Sequence, residues 1–227
     1  VKTPTICLIR HGRTTSNASA DNKGEKVKGI ANLPLTAEGK KESTKIAEQL
    51  KKVPLDKIYY SNLQRAAYTA MDIAYNHDPE IYGNNLKPTK WLRSWDLGTY
   101  VGHLYSEAMP MIKKYAMRWP NIAVPGGQSF NSWLKPFLRF IVARLTEAKE
   151  KDLSIGLVTH TWPIRAVHAA MEAGNGNILS YGKVDWDTLW KDTPLGPAQA
   201  ETYHWNGMKW IKGEDYCAVK EPTKEVG

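Results

Sequence analysis

Along this chain the apolar positions switch between continuous short runs and a helical spacing, and that switching predicts a relay of strands and helices. Ile6-Cys7-Leu8-Ile9 is an unbroken apolar run of the kind expected for a strand buried on both faces. Over residues 37–52 the spacing lengthens: Ile46, Ala47 and Leu50 share a helical face, Thr36 stands at the N-cap position, and Pro54 ends the pattern. A strand at 58–60 and a helix over 63–75 follow, with Ala66, Ala67, Ala70, Ile73 and Ala74 as the apolar stripe. Residues 76–90 hold Pro79, Gly83 and Pro88 and read as loop with at most a short strand leading to Trp91-Leu92-Arg93. The stretch 98–128 is irregular and rich in Tyr, Met and Trp. It is expected to hold a short helix near 106–119, interrupted at Pro110, and to act as a lid. A helix over 130–149 is expected to bend at Pro136, because proline lacks the N–H and crowds the preceding turn. Residues 153–159 form another apolar run, Pro163 suits the first turn of a helix over 163–173, and 200–205 with 208–211 read as a hairpin across Asn206-Gly207. Alternating strands and helices predict an α/β fold, a three-layer α/β/α sandwich with a largely parallel central sheet. The expectation is one domain over 1–227 with a lid insertion at about 98–128.

The apolar runs end in polar chemistry. The first stops at Arg10-His11-Gly12, where a parallel strand delivers its last side chains to the crevice beyond its carboxyl end. Glycine there permits a sharp turn and a close backbone approach, so that His11 points into a pocket. The second strand runs into Ser61-Asn62-Leu63-Gln64-Arg65-Ala66, with Arg65 in the first turns of a helix, and a third ends at Val158-Thr159-His160. Two arginines and two histidines thus converge from three strand ends, a set suited to surrounding one phosphoryl group. Taken singly, each has an ordinary alternative: a histidine in a core, an arginine in a surface ion pair.

Together with Thr14, Asn17, Leu33-Pro34-Leu35-Thr36-Ala37-Glu38-Gly39 and Pro125-Gly126-Gly127-Gln128-Ser129, these segments resemble the histidine phosphatase superfamily, in the branch holding cofactor-dependent phosphoglycerate mutases and many broad phosphatases. The resemblance implies that His11 is the nucleophile and carries a phosphohistidine. It implies that Arg10, Arg65 and a protonated His160 hold the transferring group, with Thr14 and Asn17 adding neutral hydrogen bonds. Two departures stand out. In Leu92-Arg93-Ser94-Trp95-Asp96-Leu97-Gly98 the family's acidic glutamate is replaced by Ser94, which does not donate a proton readily at neutral pH. Asp96 is then the expected proton donor, the alternative being that it caps a turn. Beside His160, where the family often has two glycines, stand Thr161 and Trp162. Trp162 either stacks on an aromatic leaving group or packs in the core.

Composition narrows the classes. Thirty-one basic against twenty-three acidic residues give a net charge of +8, which favours anionic partners. The lysines, among them Lys26 and Lys28, are scattered as on solvated faces, which argues against a nucleic-acid partner. Cys7 falls inside the first strand, so a disulfide to Cys217 is not expected. A reducing, cytoplasmic setting is the default. No apolar stretch is long enough to span a membrane and no signal peptide is visible. No Cys/His cluster has metal-ligand spacing and no Walker-type glycine loop occurs, so neither metal nor cofactor is expected. The leading function is a phosphatase acting on small phosphomonoesters. The alternatives are mutase-type phosphoryl transfer, and a catalytically weak protein that binds phosphorylated ligands in the same pocket. His77, His103, His168 and His204 match no catalytic position; His168 is expected to pack a helix and the others to lie in loops or at the surface.

Overall fold

Strand β1 (Thr5–Arg10) lies between two partners drawn from the far end of the chain. It pairs in parallel with β4 (Ser154–Thr159) and antiparallel with β5 (Gln199–Trp205). β2 (Lys57–Ser61) and β3 (Leu86–Thr89) extend the parallel side, and β6 (Trp210–Cys217) completes a hairpin with β5, for the order β3-β2-β4-β1-β5-β6. The computed structural model describes residues 2–17, 24–78, 80–178, 181–191 and 195–217.

The unbroken apolar runs have a direct cause, since both faces of the central strands are covered. Ile6, Leu8, Ile155 and Leu157 face a core shared with α3 (Tyr105–Met117), α4 (Phe130–Glu150) and α5 (Thr161–Ala173). Cys7, Ile9, Ile58 and Val158 face a second core built on α1 (Ala37–Leu50) and α2 (Gln64–His77). Successive side chains of β1 therefore alternate between two helical layers, which is the three-layer α/β/α arrangement. Cys7 is a buried free thiol, and Cys217 Sγ accepts from Gln199 Nε2–H at 2.9 Å. Among the described residues, no helix is long and apolar enough to cross a membrane.

Several local expectations shift. Thr36 caps α1 as expected, its hydroxyl accepting from Gly39 N–H at 3.0 Å. Pro110 does not interrupt α3, and Pro136 likewise sits inside a continuous α4. In both cases the carbonyl deprived of its partner, on Ser106 and Ser132, belongs to an exposed residue that water can reach. α5 starts at Thr161, two residues earlier than Pro163 suggests, with His160 as its N-cap residue. The segment before β3 folds as a π-turn, Ile81–Asn85, and a short helix, α6 (Trp186–Trp190), follows α5. His77 lies in α2 and His204 in β5.

The first long-range contact that shapes the ligand face is glycine on glycine. A Cβ on Gly12 would drive into the Gly39 carbonyl, and one on Gly39 into the Arg13 carbonyl. The close approach at Gly12 is thus to the first turn of α1 rather than to a ligand. A second such contact joins distant loops. Gly98, at φ 49°, and Gly127 leave no room for a Cβ against the 125–127 and 96–98 backbones respectively, so the Pro125-Gly126-Gly127 turn packs on the segment that carries Asp96.

Candidate active site

The register of β1 and β4 sets the site. Arg10 pairs with Thr159, so the next residues, His11 and His160, leave adjacent strands side by side, with ring centroids 5.0 Å apart. Both rings are almost wholly buried. Arg65, in the first turn of α2 after β2, reaches between them. Its Nε–H donates to His11 Nε2 at 3.1 Å and to His160 Nδ1 at 3.2 Å. The rest of the guanidinium is anchored by donating to the carbonyls of Ala31 and Gly29.

These bonds determine the tautomers. The Gly12 carbonyl can only accept, so its 2.7 Å contact with His11 Nδ1 requires the proton on Nδ1 and leaves a lone pair on Nε2. His160 accepts at Nδ1 from Arg65, so its Nε2–H donates to Ser61 Oγ at 2.8 Å. Burial first, and then the Arg65 charge, hold both imidazoles well below their ordinary range. His160 is therefore neutral in this setting, and the expected imidazolium requires an anion to favour it. Burial also pulls the Arg65 guanidinium down to about 10.

Around this floor lies a cavity of about 270 Å³ whose walls include Arg10, Lys28, Ser94 and Arg165. Arg10 donates from Nη1 to the Leu195 carbonyl at 2.8 Å. Glu25 also lines the cavity, accepting from Lys28 Nζ at 2.6 Å and standing 4.0 Å from Arg10 Nη2. Arg165 donates to Tyr105 Oη at 2.9 Å. Among the described lining residues, five cations (Arg10, Lys26, Lys28, Arg65, Arg165) face one carboxylate. Such a site is built to receive an anion, with an unprotonated imidazole nitrogen at its base.

The structure brings Arg10, His11, Arg65 and His160 together and leaves Asp96, Thr14 and Asn17 outside. Asp96 is not in this wall. Its carboxylate accepts from Gly98 N–H at 3.1 Å, and it lines a separate cavity of about 330 Å³ with Trp91 and Gln128. The turn packed by Gly98 and Gly127 turns it away, so the turn-capping alternative is the one the geometry supports. Thr14 and Asn17 spend their hydrogen bonds on each other: the Asn17 amide oxygen accepts from Thr14 N–H at 2.8 Å and Thr14 Oγ1–H at 3.1 Å. Neither belongs to the cavity wall. Trp162 is buried, packed edge-on against Trp95 and Trp190, with only part of its surface on the cavity. Lys28 is no solvated lysine, its side chain being only 12% exposed. Sequence reading missed Ser61, Glu25, Lys28, Tyr105 and Arg165. Ser61 alone had a signal, as the first residue of the Arg65 segment.

Comparison with known proteins identifies the family. The family model for the histidine phosphatase superfamily (branch 1) matches residues 6–185. Phosphoserine phosphatase 1 of Hydrogenobacter thermophilus is 27% identical over 172 residues, 73% of this chain and 75% of that protein. Phosphoglycerate mutase-like protein 4 of Arabidopsis thaliana is 27% identical over 168 residues, covering 72% and 69%. Among solved structures, a mycobacterial glucosyl-3-phosphoglycerate phosphatase superposes with a TM-score of 0.65 at 21% identity, covering 92% of this chain and 97% of that one.

Proposed function

We infer that this chain, which belongs to the histidine phosphatase superfamily (branch 1), is a phosphatase whose reaction passes through a phosphorylated His11. The observation that carries the reading is the pair of bonds at His11: Gly12 holds the proton on Nδ1, and Arg65 meets the lone pair on Nε2. An arriving phosphoryl group competes for the Arg65 donors, which frees that lone pair at the moment an electrophile is next to it. Nε2 attacks phosphorus, the ester P–O bond breaks, and the leaving oxygen takes a proton. Water then attacks the phosphohistidine, the P–N bond breaks, and inorganic phosphate leaves. Arg10 and Arg65 compensate the charge on the equatorial oxygens. Oriented donors of this kind are commonly the largest catalytic contribution. A dianion beside His160 favours its protonated form, and Ser61 can accept from either form.

The cation excess of the walls supports a finer reading. A phosphate dianion leaves several positive charges uncompensated, so the favoured substrate is a small phosphomonoester whose leaving group carries a further negative charge. The relatives named as phosphoserine and glucosyl-3-phosphoglycerate phosphatases act on esters of that kind. The segment 98–128 serves as the lid, contributing Tyr105 to the cavity. The buried free thiol of Cys7 supports a reducing, cytoplasmic setting.

Rapid quench with phosphate-labelled substrate tests the reading. The expected result is an acid-labile, alkali-stable label on the wild type, and neither label nor turnover in His11→Ala. Sustained turnover in His11→Ala would remove the nucleophile assignment. Phosphoryl transfer between positions of phosphoglycerate, rather than release of phosphate, would favour the mutase.

A further inference from the structure

We propose that Glu25 donates the proton to the leaving oxygen, a role that rests on the reading of His11 as nucleophile. Ser94 stands in the cavity wall, and a hydroxyl cannot serve as an acid at neutral pH. Asp96 faces another cavity. Among the described residues lining the His11 cavity, Glu25 is the one carboxylate.

Its position is built rather than incidental. Residues 24–27 run antiparallel to 101–105, with Tyr105 N–H donating to the Glu25 carbonyl at 2.8 Å, Val27 N–H to the His103 carbonyl at 2.9 Å, and Gly102 N–H to the Val27 carbonyl at 2.9 Å. The clip holds the Glu25 backbone against the start of α3, and the carboxylate reaches to 4.0 Å from Arg10 Nη2. A phosphoryl group seated on Arg10 is therefore one contact away. The side chain is 42% exposed, so water can exchange protons with it.

Lys28 Nζ donates to Glu25 at 2.6 Å and Arg10 Nη2 stands 4.0 Å from it. A bound phosphate dianion draws both cations to itself and leaves the carboxylate beside negative charge, which favours its protonated form. As the P–O bond breaks, the leaving oxygen keeps the electron pair and takes the Glu25 proton. In the second half, water transfers a proton to the Glu25 carboxylate while its oxygen bonds to phosphorus and the P–Nε2 bond breaks. Glu25 thus ends the cycle protonated again, and no further reactant is needed.

The test is leaving-group dependence, measured with p-nitrophenyl phosphate, whose phenolate leaves unaided, and phosphoserine, whose alkoxide does not. In Glu25→Gln, kcat/KM for phosphoserine is expected to fall about 10²–10⁴-fold, while that for p-nitrophenyl phosphate stays within about tenfold. Asp96→Asn leaves the ratio of the two unchanged. Equal losses on both substrates, or no loss on either, would overturn the proposal. Should Glu25→Gln fail to fold, the wild type still decides. A shallow dependence of kcat/KM on leaving-group basicity across a series of phosphomonoesters, steepened in Glu25→Asp, supports the role, and a dependence identical in both overturns it. Failure of the nucleophile reading has its own signature, turnover that survives His11→Ala.

Discussion

Arg65 concentrates the chemistry of the site in one planar group. Its Nε serves both imidazoles while its terminal nitrogens hold two loop carbonyls, a geometry that a lysine ammonium cannot reproduce. Arg65→Lys is therefore expected to lower kcat/KM by about 10²–10³, the range for losing a preorganised donor, with the fold retained by circular dichroism. The two neutral histidines carry a pH signature. Their folded pKa values lie below the ordinary 6.5, so below about pH 6.5 the unfolded chain binds more protons than the folded one. Stability should be level above that pH and fall as pH drops through it. Melting curves between pH 7.5 and 5 check this, and His160→Asn should flatten the slope. At this scale sequence reading anticipated which side chains meet where strands end, as with His11 and His160, because a strand's direction is local information. It failed at Asp96, whose aim is set by a glycine turn some thirty positions downstream. It failed at Thr14 and Asn17 because hydrogen-bonding types satisfy one another as readily as a ligand.

Between elements the tightest joint is Gly12 against Gly39. Alanine in a helix is ordinarily about 1 kcal/mol better than glycine, which taken alone predicts that Gly39→Ala stabilises α1. Here the added carbon meets the Arg13 backbone, and overpacking of this kind costs about 1–3 kcal/mol or more. Gly39→Ala is expected to lower the melting temperature, and because the displaced backbone carries His11, to reduce kcat as well. A melting temperature that rises would show that the joint yields. Most elements were legible from periodicity, α1, α2 and the central strands above all, because one apolar stripe or run decided each. Proline misled in α3: its cost depends on whether the orphaned carbonyl is exposed, a property of the tertiary structure. The clip joining 24–27 to 101–105 had no local signal, since it pairs segments far apart in the chain.

For the molecule as a whole, the parallel sheet followed from the alternation of element types, whereas strand order did not, being a matter of which partners buried their faces best. That order creates one buried charge cluster remote from the cavity. Glu201 on β5 is fully buried and pairs with His168 on α5, with Lys212 Nζ at 3.2 Å and Tyr203 Oη donating at 3.2 Å. His168 is thus a hydrogen-bond partner of a buried carboxylate and not only a packing residue. Burial alone would raise the Glu201 carboxyl, but His168 and Lys212 bring it below its ordinary value. Its stabilising contribution is present above the ordinary carboxylate range and lost as pH falls through the lower folded value. His168→Ala removes one hydrogen bond from that carboxylate, at a cost of about 1.5–3 kcal/mol readable by denaturant unfolding. Glu201→Gln with His168 intact should cost less. The place of β1 has one more implication. Of the described strands β1 waits longest for a partner, because its two neighbours are β4 and β5. Until those residues emerge, a nascent chain presents Ile6-Cys7-Leu8-Ile9 with two unsatisfied edges, a template for mispairing. Folding then depends on shielding β1 until β4 and β5 have been made, and His11 acquires its setting only once both are in place.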